Sequence, residues 1–340
     1  MDSSAGGRPP TRPDRASGPR WFAGRFELRE ELGRGAFAVV HRAWDASRQA
    51  EVALKVLLRV EPRAAERFRR EAEVLGRLRH PNIVAALESG AADGQPFIVE
   101  ELVRGPTLSA VARTRPAPGK AAQLARGIAA AVAHAHAAGV VHRDLKPDNV
   151  VVDAAGRPRV LDFGIAGLLG AEGPALTLPG APLGTPGYMA PEQVRGSATP
   201  ASDVYAVGGV LYELLCGRAP FDGASDALFA TLEAPPPRPS DVAPQVPPAL
   251  DEVVLRCLAK DPGDRFPDAD ALRDALDAFL EGAIATEPAR RPATPRAVVG
   301  LVVVALVAVG LALALGLGGL ALRPARPRAD DAASLVNDDA

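Results

Sequence analysis

Hydrophobic and polar positions alternate from about Phe26 to Glu281 at strand and helix periods, without a low-complexity gap. Glu51-Val52-Ala53-Leu54-Lys55-Val56-Leu57 reads as a strand whose polar face ends on Lys55, with apolar neighbours on both sides. Val39-Val40-His41-Arg42-Ala43-Trp44 reads as a second strand. In Phe68–Leu75, the 3/4 spacing of Phe68, Glu71, Ala72 and Leu75 predicts a helix face that carries Glu71 inward, while Glu73 falls off the stripe. Val298 to Leu322 then runs without a single charge. About 20 apolar residues cross a bilayer as a helix, so this run is long enough to span one with some tilt.

The flanks differ. Residues 1–25 read as a disordered basic arm of Pro, Gly, Ser and Arg, without the apolar segment of a signal peptide. Residues 282–297 read as a Pro/Ala/Arg-rich juxtamembrane linker, and 323–340 as a short extracytoplasmic tail with Asp330, Asp331, Asp338 and Asp339. The charge balance, 39 Lys+Arg against 41 Asp+Glu in 340 residues, does not argue for a nucleic-acid partner. Cys216 and Cys257 sit in apolar, helix-like surroundings with no paired spacing, as reduced core residues do.

Candidate chemistry concentrates in Val141-His142-Arg143-Asp144-Leu145-Lys146-Pro147-Asp148-Asn149, followed by Asp162-Phe163-Gly164. A carboxylate, an ammonium and an amide share one loop, and a second carboxylate follows. That set can hold Mg²⁺ and ATP phosphates while a hydroxyl is aimed at the terminal phosphate. Leu32-Gly33-Arg34-Gly35 is a glycine-rich turn between strand-like segments, where backbone can approach phosphate oxygens. A dinucleotide-binding turn would look similar, but a strand rather than a helix follows, and Ala38 replaces the third glycine. An inward Glu71 paired with Lys55 would fix the lysine on the α/β-phosphates.

With Val-Ala-Leu-Lys at 52–55, His-Arg-Asp at 142–144, Asp-Phe-Gly at 162–164 and Ala-Pro-Glu at 190–192, the chain resembles the eukaryotic-type (Hanks-type) serine/threonine protein kinases, in their bacterial membrane-anchored branch. The resemblance covers residues 26–281. It implies an α+β bilobal protein kinase fold, with a β-rich N-lobe to about Val99 and a helical C-lobe to about Glu281, followed by one transmembrane helix. Asp144 would accept the proton of the substrate hydroxyl, and Lys146 would neutralise the γ-phosphate. Asn149 and Asp162 would hold Mg²⁺, with Mn²⁺ as an alternative. Leu32, Gly33 and Gly35 would cover the nucleotide. Val40, Ala53 and Val151 would sandwich the adenine, and Glu101 and Val103 would meet its edge. Leu75, His142 and Phe163 would stack in a column anchored by Asp203. Glu192 and Arg265 would form a buried ion pair.

The acceptor class follows from Lys146 and from Gly184-Thr185-Pro186-Gly187-Tyr188-Met189, which resemble Ser/Thr rather than Tyr kinases. Thr185 would bond Asp144 and Lys146, and Tyr188 reads as a packing residue. The activation segment, 162–192, contains only Thr177 and Thr185 as hydroxyl acceptors of that class, so Thr177 is the expected autophosphorylation site, paired with Arg143. Glu100 falls where the family commonly carries an apolar gatekeeper, and a carboxylate there is costly unless paired. His134 and His136, with His142, have the look of a metal cluster, but i and i+2 on a helix face different ways.

The partners implied are protein substrates with Ser/Thr acceptors and a membrane crossed by a single span, without nucleic acid. Arginines flank the apolar run evenly, so the need for cytosolic ATP and the lack of a signal peptide orient it. The kinase domain is expected in the cytoplasm, anchored to the inner (cytoplasmic) membrane. Small residues at 308, 312 and 316 and at 310, 314 and 318 could support a homodimer. The rival reading is an inactive kinase-like membrane scaffold; Lys55, Asp144 and Asp162, which such proteins tend to lose, are all present.

Overall fold

The computed structural model describes residues 20–35, 38–58, 74–163, 186–221 and 227–282. Six strands open the chain: β1 (Arg20–Phe22), β2 (Phe26–Arg34), β3 (Ala38–Asp45), β4 (Ala50–Leu57), β5 (Ala86–Ala92) and β6 (Gln95–Glu101). They pair antiparallel in the order β1-β2-β3-β4-β6-β5. The alternation along β4 explains the sheet's two faces. Val52, Leu54 and Val56 join Phe26, Ala43, Phe97 and Val99 in a small core on one side. Ala53, Lys55 and Leu57 take the other side and are also buried, so the strand reads as nearly continuous apolar sequence around one lysine.

The basic arm stops earlier than residue 25. Arg20–Phe22 form β1, in register with Phe26–Leu28. The turn between them places Ala23 at φ 55° and Gly24 at φ 62°, as a tight hairpin needs. Phe22 supplies the reason the segment is ordered, meeting Phe97 edge-on at 5.5 Å between ring centroids. Beside it, Arg25 clamps the buried Asp45 with both guanidinium arms, at 2.8 and 2.7 Å, and also bonds Glu88. These hydrogen bonds, Arg25 first, hold the Asp45 carboxyl well below the usual carboxylate range.

The second half is helical. It comprises α1 (Leu108–Ala112), α2 (Pro118–Ala137), a short hairpin β7 (Val150–Val152) and β8 (Pro158–Val160), then α3 (Pro191–Val194), α4 (Pro200–Cys216), α5 (Ala227–Glu233), α6 (Pro239–Val242), α7 (Pro248–Cys257) and α8 (Ala269–Leu280). Helix α4 is apolar nearly all round because it runs through the middle of this lobe. Close packing there needs small residues: a Cβ on Gly208 would lie 2.3 Å from that of Cys257. Cys216 and Cys257 are buried and unbridged. Among the described residues no helix is long and apolar enough to cross a membrane, and the run at 298–322, the linker and the tail lie outside those residues.

Glu192 and Arg265 meet as a two-pronged ion pair at 2.7 and 2.8 Å. The guanidinium is fully enclosed and also donates to the carbonyls of Ala201 and Ala259, both at 2.8 Å. Burial pushes the Glu192 carboxyl up, but its bonds to Arg265 and Ser202 outweigh this and hold it below the ordinary value. Removing one partner strands a buried charge. Arg265→Ala should therefore cost about 3–5 kcal/mol of stability, read as a lowered midpoint in urea; a loss indistinguishable from that of a surface arginine would refute the assignment.

Candidate active site

The loop between α2 and β7 is held from below. Asp203, on the first turn of α4, is buried; its carboxylate accepts the main-chain N–H of His142 at 2.7 Å and of Arg143 at 3.0 Å. The Nε2 of His136 lies 2.8 Å from the same carboxylate. Arg143 takes φ 70°, a left-handed conformation that a non-glycine side chain adopts only when its surroundings impose it. Gln193 adds a bond to the Arg143 carbonyl at 2.8 Å. His142 is fully buried, with Nε2 2.9 Å from the Leu161 carbonyl and its ring meeting Phe163 at 4.8 Å. Its Nδ1 then accepts the Asp144 N–H at 3.3 Å, which requires the proton on Nε2.

On this platform the expected catalytic groups converge. Lys146 Nζ lies 2.9 Å from Asp144 Oδ2. The Asn149 amide nitrogen donates to the Asp144 carbonyl at 2.7 Å and to its carboxylate at 3.2 Å. That commits the Asn149 nitrogen and leaves its oxygen as a free acceptor type, suited to a hard cation. Lys55 reaches from β4 to Asp162 Oδ1 at 2.7 Å, joining the sheet to the segment after β8. Asp162 itself sits at φ 61°. Glu71, the expected partner of Lys55, lies outside the described residues, as do Thr177 and Thr185.

The residues expected to face a nucleotide lie on or just after β2, on β3, β4, β6 and β7 and in the segment after β6. Val40 pairs with Lys55 across β3–β4, and Ala53 pairs with Glu100 across β4–β6. Val151 lies on β7 and bridges to Thr107, just after the segment containing Glu101 and Val103. Leu32 is half exposed at the end of β2, and Gly33 and Gly35 follow it, Gly35 N–H donating to Ala38 carbonyl at 2.9 Å. A Cβ on Gly33 would meet nothing within 4 Å among the described residues. The donor set fits ATP and a divalent ion: an ammonium on Lys55, oxygen acceptors on Asn149 and Asp162, and no group of three or more His, Cys, Asp or Glu among the described residues placed to hold a metal alone.

Some contributors escape a reading by motif. His136 reads in sequence as an ordinary helix-end residue; it is one of three groups on Asp203, while His134 stacks on His80 at 5.2 Å. Tyr188 is half-buried and donates its hydroxyl to Glu213, as a packing residue would. Leu75 shares a cavity with Leu78, Ile83, Asp162 and Phe163, which joins the column to the sheet. Glu100 opens into that same cavity and is 9% exposed. Burial, and then the charge of Asp162, push its carboxyl up to about 7, against the opposing pull of Lys55.

That shift has a sign. Below pH 4.5 the Glu100 carboxyl is neutral folded or unfolded and costs nothing. Between 4.5 and about 7 the unfolded chain ionises it more readily, so stability is lost as pH rises. At 1.36 kcal/mol per pKa unit the full penalty is about 3 kcal/mol. Glu100→Gln should therefore gain melting temperature over the wild type progressively from pH 5 to pH 7.5. A difference that stays flat across that range would mean the carboxyl ionises as freely folded as unfolded.

Comparison with known proteins agrees with the arrangement. The protein kinase domain model matches residues 26–276. The DNA damage-responsive serine/threonine-protein kinase RqkA of Deinococcus radiodurans is 42% identical over 278 residues, covering 79% of this chain and 41% of that protein. Serine/threonine-protein kinase PknB of Mycolicibacterium smegmatis is 40% identical over 277 residues, 78% of this chain and 44% of that protein. The chain thus spans under half the length of these relatives. The crystal structure of a point mutant of the PknI kinase domain of Mycobacterium tuberculosis superposes with a TM-score of 0.61 at 30% identity, covering 77% of this chain and 98% of that one. A bilobal fold, an Asp144–Lys146–Asn149 cluster anchored on Asp203 and a family match across most of the chain lead to one conclusion: this chain belongs to the protein kinase family.

Proposed function

We propose that the chain is a serine/threonine protein kinase that moves the ATP γ-phosphate to Ser or Thr hydroxyls of protein substrates. The observation that carries this is the contact of Lys146 and Asn149 with the Asp144 carboxylate on a loop pinned to Asp203. Lys55 would hold the nucleotide phosphates, and Asp162 and Asn149 would hold the Mg²⁺ ion, which supplies charge neutralisation at the phosphates. Asp144 is oriented by Asn149 so that a free carboxylate edge can accept the proton of an incoming hydroxyl. Its side chain is 38% exposed, which leaves it accessible to substrate. Lys146 stays beside it, where it can balance negative charge as the hydroxyl attacks. The relatives' names support Ser/Thr as acceptor.

The finer reading has autophosphorylation at Thr177, with Arg143 as the receiving cation. The Arg143 Nε is buried without a hydrogen-bond partner among the described residues, so a phosphate oxygen would satisfy it. The apolar run at 298–322 supports a single span that holds the domain at the inner face of the cytoplasmic membrane. Small residues along it are compatible with a homodimer.

Two measurements test this. The full chain in detergent micelles, given ³²P-ATP·Mg²⁺ and a generic Ser/Thr substrate, should transfer phosphate, and Asp144→Asn should lower the rate by about 10²–10⁴-fold. Equal counts from both would favour the inactive scaffold. Mass spectrometry after incubation should place phosphate on Thr177; an active enzyme with Thr177 unmodified would sink the autophosphorylation reading.

A further inference from the structure

Glu101 is fastened more heavily than a hinge residue needs for its backbone role. Its N–H donates to the Ala85 carbonyl at 3.0 Å, and its carboxylate accepts the Ala85 N–H at 2.9 Å. The same carboxylate oxygen accepts from the guanidinium of Arg159, which stands on β8. Arg159 also donates to the Ile83 carbonyl at 3.1 Å and lies 4.0 Å from the Asp153 carboxylate. Its side chain is 14% exposed and that of Glu101 34%, so the pair is partly shielded from solvent.

The position of Arg159 gives the contact its meaning. Across the β7–β8 hairpin its direct partner is Val151, the residue expected under the adenine. Its neighbour Val160 accepts the Val84 N–H at 2.9 Å and donates to the Asn82 carbonyl at 2.8 Å, so β8 is stitched to the 82–84 segment. Two residues beyond Val160 comes Asp162. One guanidinium therefore connects the hinge at Glu101, the strand opposite the adenine floor and the segment that leads into β5. Its planar, multi-donor head can bond Glu101 and Ile83 at once, which an ammonium on a shorter reach would do less well.

Resting on the ATP-site reading above, we infer that Arg159 is a positioning residue: through Glu101 it sets the hinge against the adenine floor, and so tunes nucleotide affinity rather than turnover. Hydrogen bonds weaken steeply with misalignment, so a hinge that drifts loses contact with the adenine edge. The phosphoryl-transfer loop is held separately, by Asp203, and keeps its geometry.

The test uses the full chain carrying Arg159→Met, Arg159→Lys, Glu101→Gln, or Arg159→Met with Glu101→Gln. Arg159→Met should raise both the KM for ATP and the Kd of a fluorescent ATP analogue by about tenfold, the scale of one charge-assisted bond. Its kcat should stay within about twofold, because the catalytic loop keeps its separate anchor. Arg159→Lys should recover part of the loss, and the double variant should be no weaker than the worse single one. Unchanged nucleotide affinity, losses that multiply in the double variant, or kcat falling together with the melting temperature would overturn the proposal. Analogue binding is read without turnover. If the wild-type chain transfers no phosphate while Arg159→Met still weakens analogue binding about tenfold, the kinase reading is overturned and this one supported.

Discussion

The buried carboxylate of Asp203 accepts two consecutive main-chain N–H groups, from His142 and Arg143, and the placement of every reacting group on the loop depends on it. Asp203 reaches no substrate. It works because α4 is rigid and enclosed, so its first turn presents a fixed negative point to the loop above. Two bonds to adjacent amides set the direction of the chain, which then passes through the left-handed conformation at Arg143. That conformation is unfavourable for an arginine and persists because its surroundings over-determine it. From this bend, Asp144 emerges beside Lys146 and Asn149. His142 carries the same constraint upward through Leu161 and Phe163 to Asp162.

Among the described residues several buried charges have a partner of opposite sign. Arg265 has Glu192 and several carbonyls, Asp45 has Arg25, and Lys55 has Asp162. Among the described residues Glu100 forms no ion pair within 4 Å. It shares a cavity with Asp162, a like charge, and with apolar side chains, so its ionised form is disfavoured. Lys55 thus sits among carboxylates of different character: Asp162, which it bonds directly, and Glu100, a diagonal neighbour on the same face of the sheet. This gives the back of the site a polarity that an apolar side chain at position 100 would not.

Much of the site is legible in the sequence because its chemistry is local there. The spacing of Asp144, Lys146 and Asn149 fits a single short loop, and the alternation of β4 dictates that Lys55 shares a face with Ala53. The Glu192–Arg265 pair and the role of Asp203 follow from family resemblance, and the structure contains both. Other features leave no local trace. β1 exists because Phe22 finds Phe97, a residue far along the chain, and its flanking composition carries no such signal. His136 and Arg159 belong to no motif; their roles arise from a carboxylate 67 residues away in one case and 58 in the other.

The sequence by itself determined that β3 and β4 are strands, which face of β4 carries Lys55, and which catalytic groups share a loop, since these follow from side-chain period and chain geometry over a few residues. No local period decides the pairing of distant charges; tertiary structure does. It put Asp162 against Lys55, Asp203 beneath His142 and Arg143, Arg159 against Glu101, and Glu100 in a cavity that it shares with Asp162 and apolar side chains. A carboxylate's behaviour depends on how much water it loses and which charge it meets, and both are properties of the packed lobes rather than of the residue.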